Sequence, residues 1–270
     1  MHLRSFALAT ACAVVSAWPA LAQQRAPALP EVSVSAQANR DPVEKSYRKM
    51  IRGMELFERR APQLAPGSTL RFKLLPRRRT TNMANVEIDV IGTSTSFPVA
   101  VAPDHTFTLE RNQKALDENA QVTPNRASGS MTWRTEVRSP GVPPGMRRLG
   151  DLRLECEVGM EAGVVSNART FVGQIANWMT DSPAYCRGNQ LYLFFAERPL
   201  FNVTLVAGAR RESLAINRLY AAASDDANLA ADLPYCDCEV MLDRTYFMPL
   251  EDASWPDETL VQFDYMEGPP

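Results

Sequence analysis

The chain reads as a β-rich α+β protein: an antiparallel β-sandwich-like core with an N-terminal amphipathic helix and one further helix. Three observations carry that reading. Val43, Tyr47, Met50, Ile51, Met54 and Phe57 recur at helical spacing. From Pro62 onward the apolar period falls to two, as in Leu70-x-Phe72-x-Leu74 and Val86-x-Ile88-x-Val90. Turn pairs such as Pro103-Asp104, Pro140-Gly141 and Pro144-Gly145 cut the rest into short segments, the pattern of an antiparallel sandwich or open barrel.

Residues 1–22 have the parts of a secretory signal in order. Arg4 supplies positive charge, Phe6 to Trp18 is uncharged and apolar, and Ala20-Leu21-Ala22 suits a signal peptidase. The apolar run is too short to span a bilayer, so cleavage after Ala22 into a periplasmic or secreted protein is expected. Lipid attachment at Cys12 is the lesser alternative. No other segment has the apolar length of a membrane helix, so no transmembrane segment is expected in the mature chain.

Residues 23–40 form a flexible lead rich in Pro, Ala, Gln and Ser. Asp41 as cap, Pro42 at the first position and Glu44 in a capping box predict the start of the first helix. Its other face carries Lys45, Arg48, Lys49, Arg52, Arg59 and Arg60. Strands are expected at 70–74, 86–90, 97–101, 106–110, 131–137 and 152–158. A second helix is expected over 163–179, where Val164, Ala168, Phe171, Val172, Ile175 and Met179 share a face. Further strands follow at 191–196, 201–209, 239–242, 246–250 and 259–265, while 212–228 fits neither template. We divide the mature chain into a helix-plus-sandwich part, 41–158, and a disulfide-bearing α+β part, 159–270, with one continuous domain as the alternative.

Cys156, Cys186, Cys236 and Cys238 are an even set in an oxidising compartment, hence two disulfides are expected with Cys156–Cys186 the favoured pair. Cys236-Asp237-Cys238 lacks the Cys-x-x-Cys spacing of a redox motif. Once the signal is removed His105 is the single histidine, which rules out a multi-histidine metal site and leaves a Ser-His-Asp triad dependent on one turn residue. Ser46-x-x-Lys49 has no Lys-Thr-Gly partner, and Gly92 to Ser96 lacks the glycine of a nucleophile elbow. No catalytic residue, metal or cofactor is assigned.

Charge is polarised along the chain. The stretch from Arg40 to Arg79 is strongly basic and ends in Arg77-Arg78-Arg79; from Asp225 onward acids dominate. With a net charge of -2 overall, nucleic acid is not an expected partner. The expected activity is non-catalytic binding or assembly, with Arg77, Arg78 and Arg79 meeting an envelope protein or an anionic surface such as a lipid headgroup or lipopolysaccharide. The alternative is a carboxylate-dependent hydrolase acting on cell-wall or lipid material.

Overall fold

The computed structural model describes residues 44–77, 79–127, 129–164, 183–188, 192–220 and 242–266. All belong to one compact unit, Ala36–Pro270. The signal and lead, Arg78, Cys236, Cys238 and nearly all of the helix expected over 163–179 lie outside the described residues.

A two-residue strand, β1 (Lys45–Ser46), leads into helix α1 (Tyr47–Leu64). The cap is Ser46 and not Asp41: its Oγ accepts from the Lys49 amide at 3.4 Å, which accounts for the Ser-x-x-Lys spacing. The helix continues through Pro62, whose missing amide removes one bond in the last turn while Ala61 and Leu64 stay buried. Then come β2 (Thr69–Pro76), β3 (Ile88–Ile91), β4 (Ser96–Val99), β5 (Thr106–Phe107), the short helix α2 (Gln113–Asp117), β6 (Gln121–Pro124) and β7 (Met131–Arg138). These strands make two antiparallel sheets, ordered β1-β6-β3-β4 and β5-β2-β7. Ile88, Val90 and Val122 from the first sheet, Phe72, Leu74, Phe107 and Trp133 from the second, and Tyr47, Met50 and Ile51 from α1 form the first core.

β8 (Met146–Arg148) follows, then helix α3 (Leu149–Glu161). This corrects the strand expected at 152–158. Leu152, Leu154, Cys156 and Val158 alternate with Arg153, Glu155 and Glu157 like a half-buried strand, but α3 is buried nearly all round. Its polar residues are inside and paired: Asp151 with Ser139, Glu155 with Arg147, and Glu157 with Arg60 and Arg187. A helix without a solvent face leaves no helical period to read.

The remaining strands are β9 (Leu193–Phe195), β10 (Leu200–Ala207), β11 (Arg210–Ser213), β12 (Thr245–Phe247) and β13 (Leu260–Tyr265). They form an antiparallel sheet ordered β11-β10-β13-β8 and a β12-β9 pair. The fold is therefore mixed helix and strand, strand-rich and antiparallel. A second core gathers Leu149, Leu152, Cys156, Phe194, Leu205, Tyr246, Trp255 and Val261. Tyr192, Phe194, Tyr246, Phe263 and Tyr265 run through it as a ring series with centroid spacings of 4.8, 5.4, 5.2 and 6.2 Å.

The boundary expected at 158 falls inside α3, and α3 serves both halves. Leu149, Leu152 and Cys156 point into the second core, Leu154 and Val158 meet Leu64 and Val137 in a third cluster, and Ala162 just past the helix joins the first core. α1 crosses α3 closely at Gly53, where a Cβ would come 2.8 Å from the Ala162 Cβ. A disulfide joins Cys156 of α3 to Cys186 in the 3₁₀ turn Pro183–Arg187.

Candidate functional site

In the pair β2–β7, residue 72 faces 135 and 74 faces 133, so Phe72, Leu74 and Trp133 point into the core and the alternate residues point outward. The outward rungs are Lys73 opposite Arg134 and Arg71 opposite Glu136, with Arg138 next along β7. Four cations therefore surround one carboxylate. Glu136 holds Arg138 Nη2 at 2.7 Å and lies 3.6 Å from Lys73 Nζ. Burial pushes the Glu136 carboxyl up, but Arg138 and Lys73 outweigh it and hold it below the ordinary carboxylate value.

Like charges directly opposite each other weaken a strand pair, and here the two cations are drawn apart, Lys73 to Glu136 and Arg134 to the Phe195 ring. Arg134 is buried, with its guanidinium 4.7 Å from the Phe195 ring centroid and Nη1 bonded to the neighbouring Trp133 carbonyl. No carboxylate among the described residues pairs with it. Burial draws it below the ordinary arginine value, opposed by Tyr192 and reinforced by Arg77. The Nε atoms of Arg71 and Arg134 are both buried without an acceptor. Buried polar atoms are seldom left so, and two on one face mark it out.

Of the basic triplet at 77–79, Arg77 and Arg79 are among the described residues. Arg77 is buried at the end of β2, 8% exposed, with its amide bonded to the Ser130 carbonyl at 2.9 Å. β2 runs to Pro76 and carries Arg77 inward with it. Arg79 is exposed, and both Arg77 and Arg79 have partners. The basic face of α1 is also partly consumed, with Arg52 on Glu161 and Arg60 on Glu157. Arg71 and Lys73 belong to the basic stretch noted in the sequence; Arg134, Glu136 and Arg138 did not stand out. Their alternation along β7 was visible, but only the register against β2 brings the five together.

Beyond Arg138 the face ends in a cleft of about 270 Å³ between the β7–β8 connection and the turn after β9. Two carboxylates line it, Asp151 and Glu197, which raises the hydrolase alternative. Both are engaged. Asp151 accepts from the Ser139 amide at 2.9 Å and the Ser139 hydroxyl at 2.6 Å, within the first turn of α3 where a negative charge is favoured. Glu197 accepts from Arg138 at 2.9 Å.

A wider hollow of about 580 Å³ lies beside Ser94–Pro98, and the two cations lining it are already engaged. Arg111 pairs with Glu58, and Lys114 donates to the Ser94 carbonyl. Glu118 collects the Ser94 hydroxyl and the Ser94 and Thr95 amides, which lower its carboxyl to about 2 and close the β3–β4 hairpin loop. His105 is a turn residue of positive φ, its Nε2 2.9 Å from the Met83 carbonyl oxygen. Among the described residues no three His, Cys, Asp or Glu are grouped to hold a metal, and no helix is long and apolar enough to cross a membrane. No family model, curated protein or solved structure matches the chain.

Proposed function

We propose that the chain is an exported, non-catalytic binding module that engages an anionic envelope surface through the outward face of β2–β7. The observation that carries this is the part-exposed pair Arg71 and Lys73 on β2, with Arg138 at the end of β7 and Glu136 the one carboxylate within the rungs. Export is the reading of Met1 to Ala22, and the Cys156–Cys186 bond is the chemistry of an oxidising compartment.

The test is flotation of the purified mature chain with phosphatidylglycerol or phosphatidylcholine vesicles at low and high salt. Binding to the anionic vesicles alone, lost at high salt, is expected. Each Lys or Arg near such a surface contributes about 1 kcal/mol, so Arg71→Ala with Lys73→Ala should weaken partitioning by more than about tenfold. Equal binding by the double variant sinks the assignment to this face, and co-purification of an acidic protein in place of lipid redirects it to a partner. Export is checked by the N-terminal sequence of the envelope form, expected to begin at Gln23.

A further inference from the structure

The cleft beyond Arg138 is a second place on the molecule; it shares Arg138 and its partner Glu136 with the charged face but does not involve Arg71. Arg138 Nη2 contacts two carboxylate oxygens, Glu136 Oε1 at 2.7 Å and Glu197 Oε1 at 2.9 Å. The two partners differ in freedom. The Glu136 side chain is 15% exposed and also meets Lys73, whereas the Glu197 side chain is 62% exposed on the turn between β9 and β10. A pair between so exposed a carboxylate and a part-exposed arginine is marginal and opens readily. Deeper in the same cleft Arg147 is buried, its Nη2 on Glu155 at 2.6 Å and on the Val137 carbonyl at 2.7 Å. Its Nε, also buried, has no acceptor.

We propose that this cleft binds a small monocarboxylate with a compact apolar body, the ligand carboxylate replacing Glu197 on Arg138. Charge selects the class. Exchange of one carboxylate for another leaves the local balance unchanged, whereas a phosphate dianion adds a negative charge beside Glu136 and Asp151. The lining is mostly polar, and Val142, Pro143, Pro144 and Met146 contribute its smaller, apolar part on one side. The connection carrying them is pre-shaped by its prolines and by Gly141 and Gly145, both at φ 73°, so little ordering is needed on binding. At about 30 Å³ per displaced water, the volume suits a ligand of about ten non-hydrogen atoms. Glu197 then acts as an internal competitor that covers the arginine when no ligand is bound.

Titration of the mature protein with benzoate, benzamide and inorganic phosphate, followed through the amide resonances of Gly141, Gly145 and Arg147, tests this. Benzoate should shift all three, with benzamide and phosphate at least about tenfold weaker. Glu197→Gln, an exposed change that leaves the fold intact, should tighten benzoate by about two- to fivefold because the competitor is gone. Arg138→Gln should weaken it by at least about tenfold. Benzoate that moves none of these resonances in either the natural protein or the Glu197→Gln variant overturns the proposal, as does benzamide or phosphate binding equally well. Neither result touches the charged face, which is scored separately by vesicle binding of the Arg71 and Lys73 variants.

Discussion

The two cores of this molecule are built on different principles. The first, beneath α1 and β2 to β7, is apolar throughout: Phe72, Phe107 and Trp133 pack with ring centroids 5.6 and 5.9 Å apart. The charged residues of β2 and β7 stay outside it. The second core, around α3 and β8 to β13, takes charge inside. Arg147 and Glu155 lie buried against each other at 2.6 Å, and a disulfide anchors the same helix. Burial alone would weaken Arg147's hold on its proton; the Glu155 carboxylate more than reverses this and leaves it above the ordinary arginine value. The first core tolerates small losses of shape, while the second depends on partners that must all be present.

The contrast can be broken at its strongest point first. Glu155→Ala leaves Arg147 buried and uncompensated and also strips the Val137 amide of its acceptor, so a loss of about 3–5 kcal/mol in urea unfolding is expected. A loss below about 1 kcal/mol would mean that the second core does not rest on the pair. Replacing Cys156 and Cys186 together by alanine frees a loop closed over 30 residues and should cost about 3–4 kcal/mol, measured in the same way. The first core gives the smaller response. Ile88→Val removes one methylene from a packed site and should cost about 1 kcal/mol.

The mildest effect is a pH dependence at the β3–β4 loop. The Glu118 carboxyl is lowered from 4.5 to about 2 by the Ser94 hydroxyl and the two loop amides. Its folded value lies below its unfolded one, so its contribution is complete above pH 4.5 and is lost as pH falls towards 2. NMR titration of the Glu118 carboxyl carbon should give that low midpoint, with amide exchange at Ser94 and Thr95 quickening over the same window. A midpoint near 4.5 would mean the loop is not held by this residue.

What was legible in the sequence follows the same division. α1, β2 and β3 keep a wetter and a drier face, and β7 alternates apolar with polar residues although it is buried on both sides, so their periods survive in the chain and their existence was expected. The cap of α1 was misplaced because Asp41 and Ser46 both suit the role, and the choice is made by the pairing of Lys45 and Ser46 with β6. α3 was read as a strand because its acids are neutralised by Ser139, Arg147, Arg60 and Arg187, three of them distant in sequence and none inferable from period. β8 and β11 escaped because Met146-Arg147-Arg148 and Arg210-Arg211-Glu212-Ser213 carry almost no apolar alternation. Both candidate sites suffered likewise. The opposition of Lys73 to Arg134 exists only in register, and the meeting of Arg138 with Glu197 spans 59 residues.

Helix α3 also decides how this protein is inherited and dismantled. A chain whose halves owned separate walls would survive being split or joined to other modules at the seam. Here the seam runs through one helix whose sides line both cores. Cutting the gene near residue 158 yields no independent half: one fragment keeps most of a shared wall with nothing behind it, and the other loses Cys156 and with it the anchor for Cys186. A nascent chain cannot complete its second core until residues 149–161 have left the ribosome.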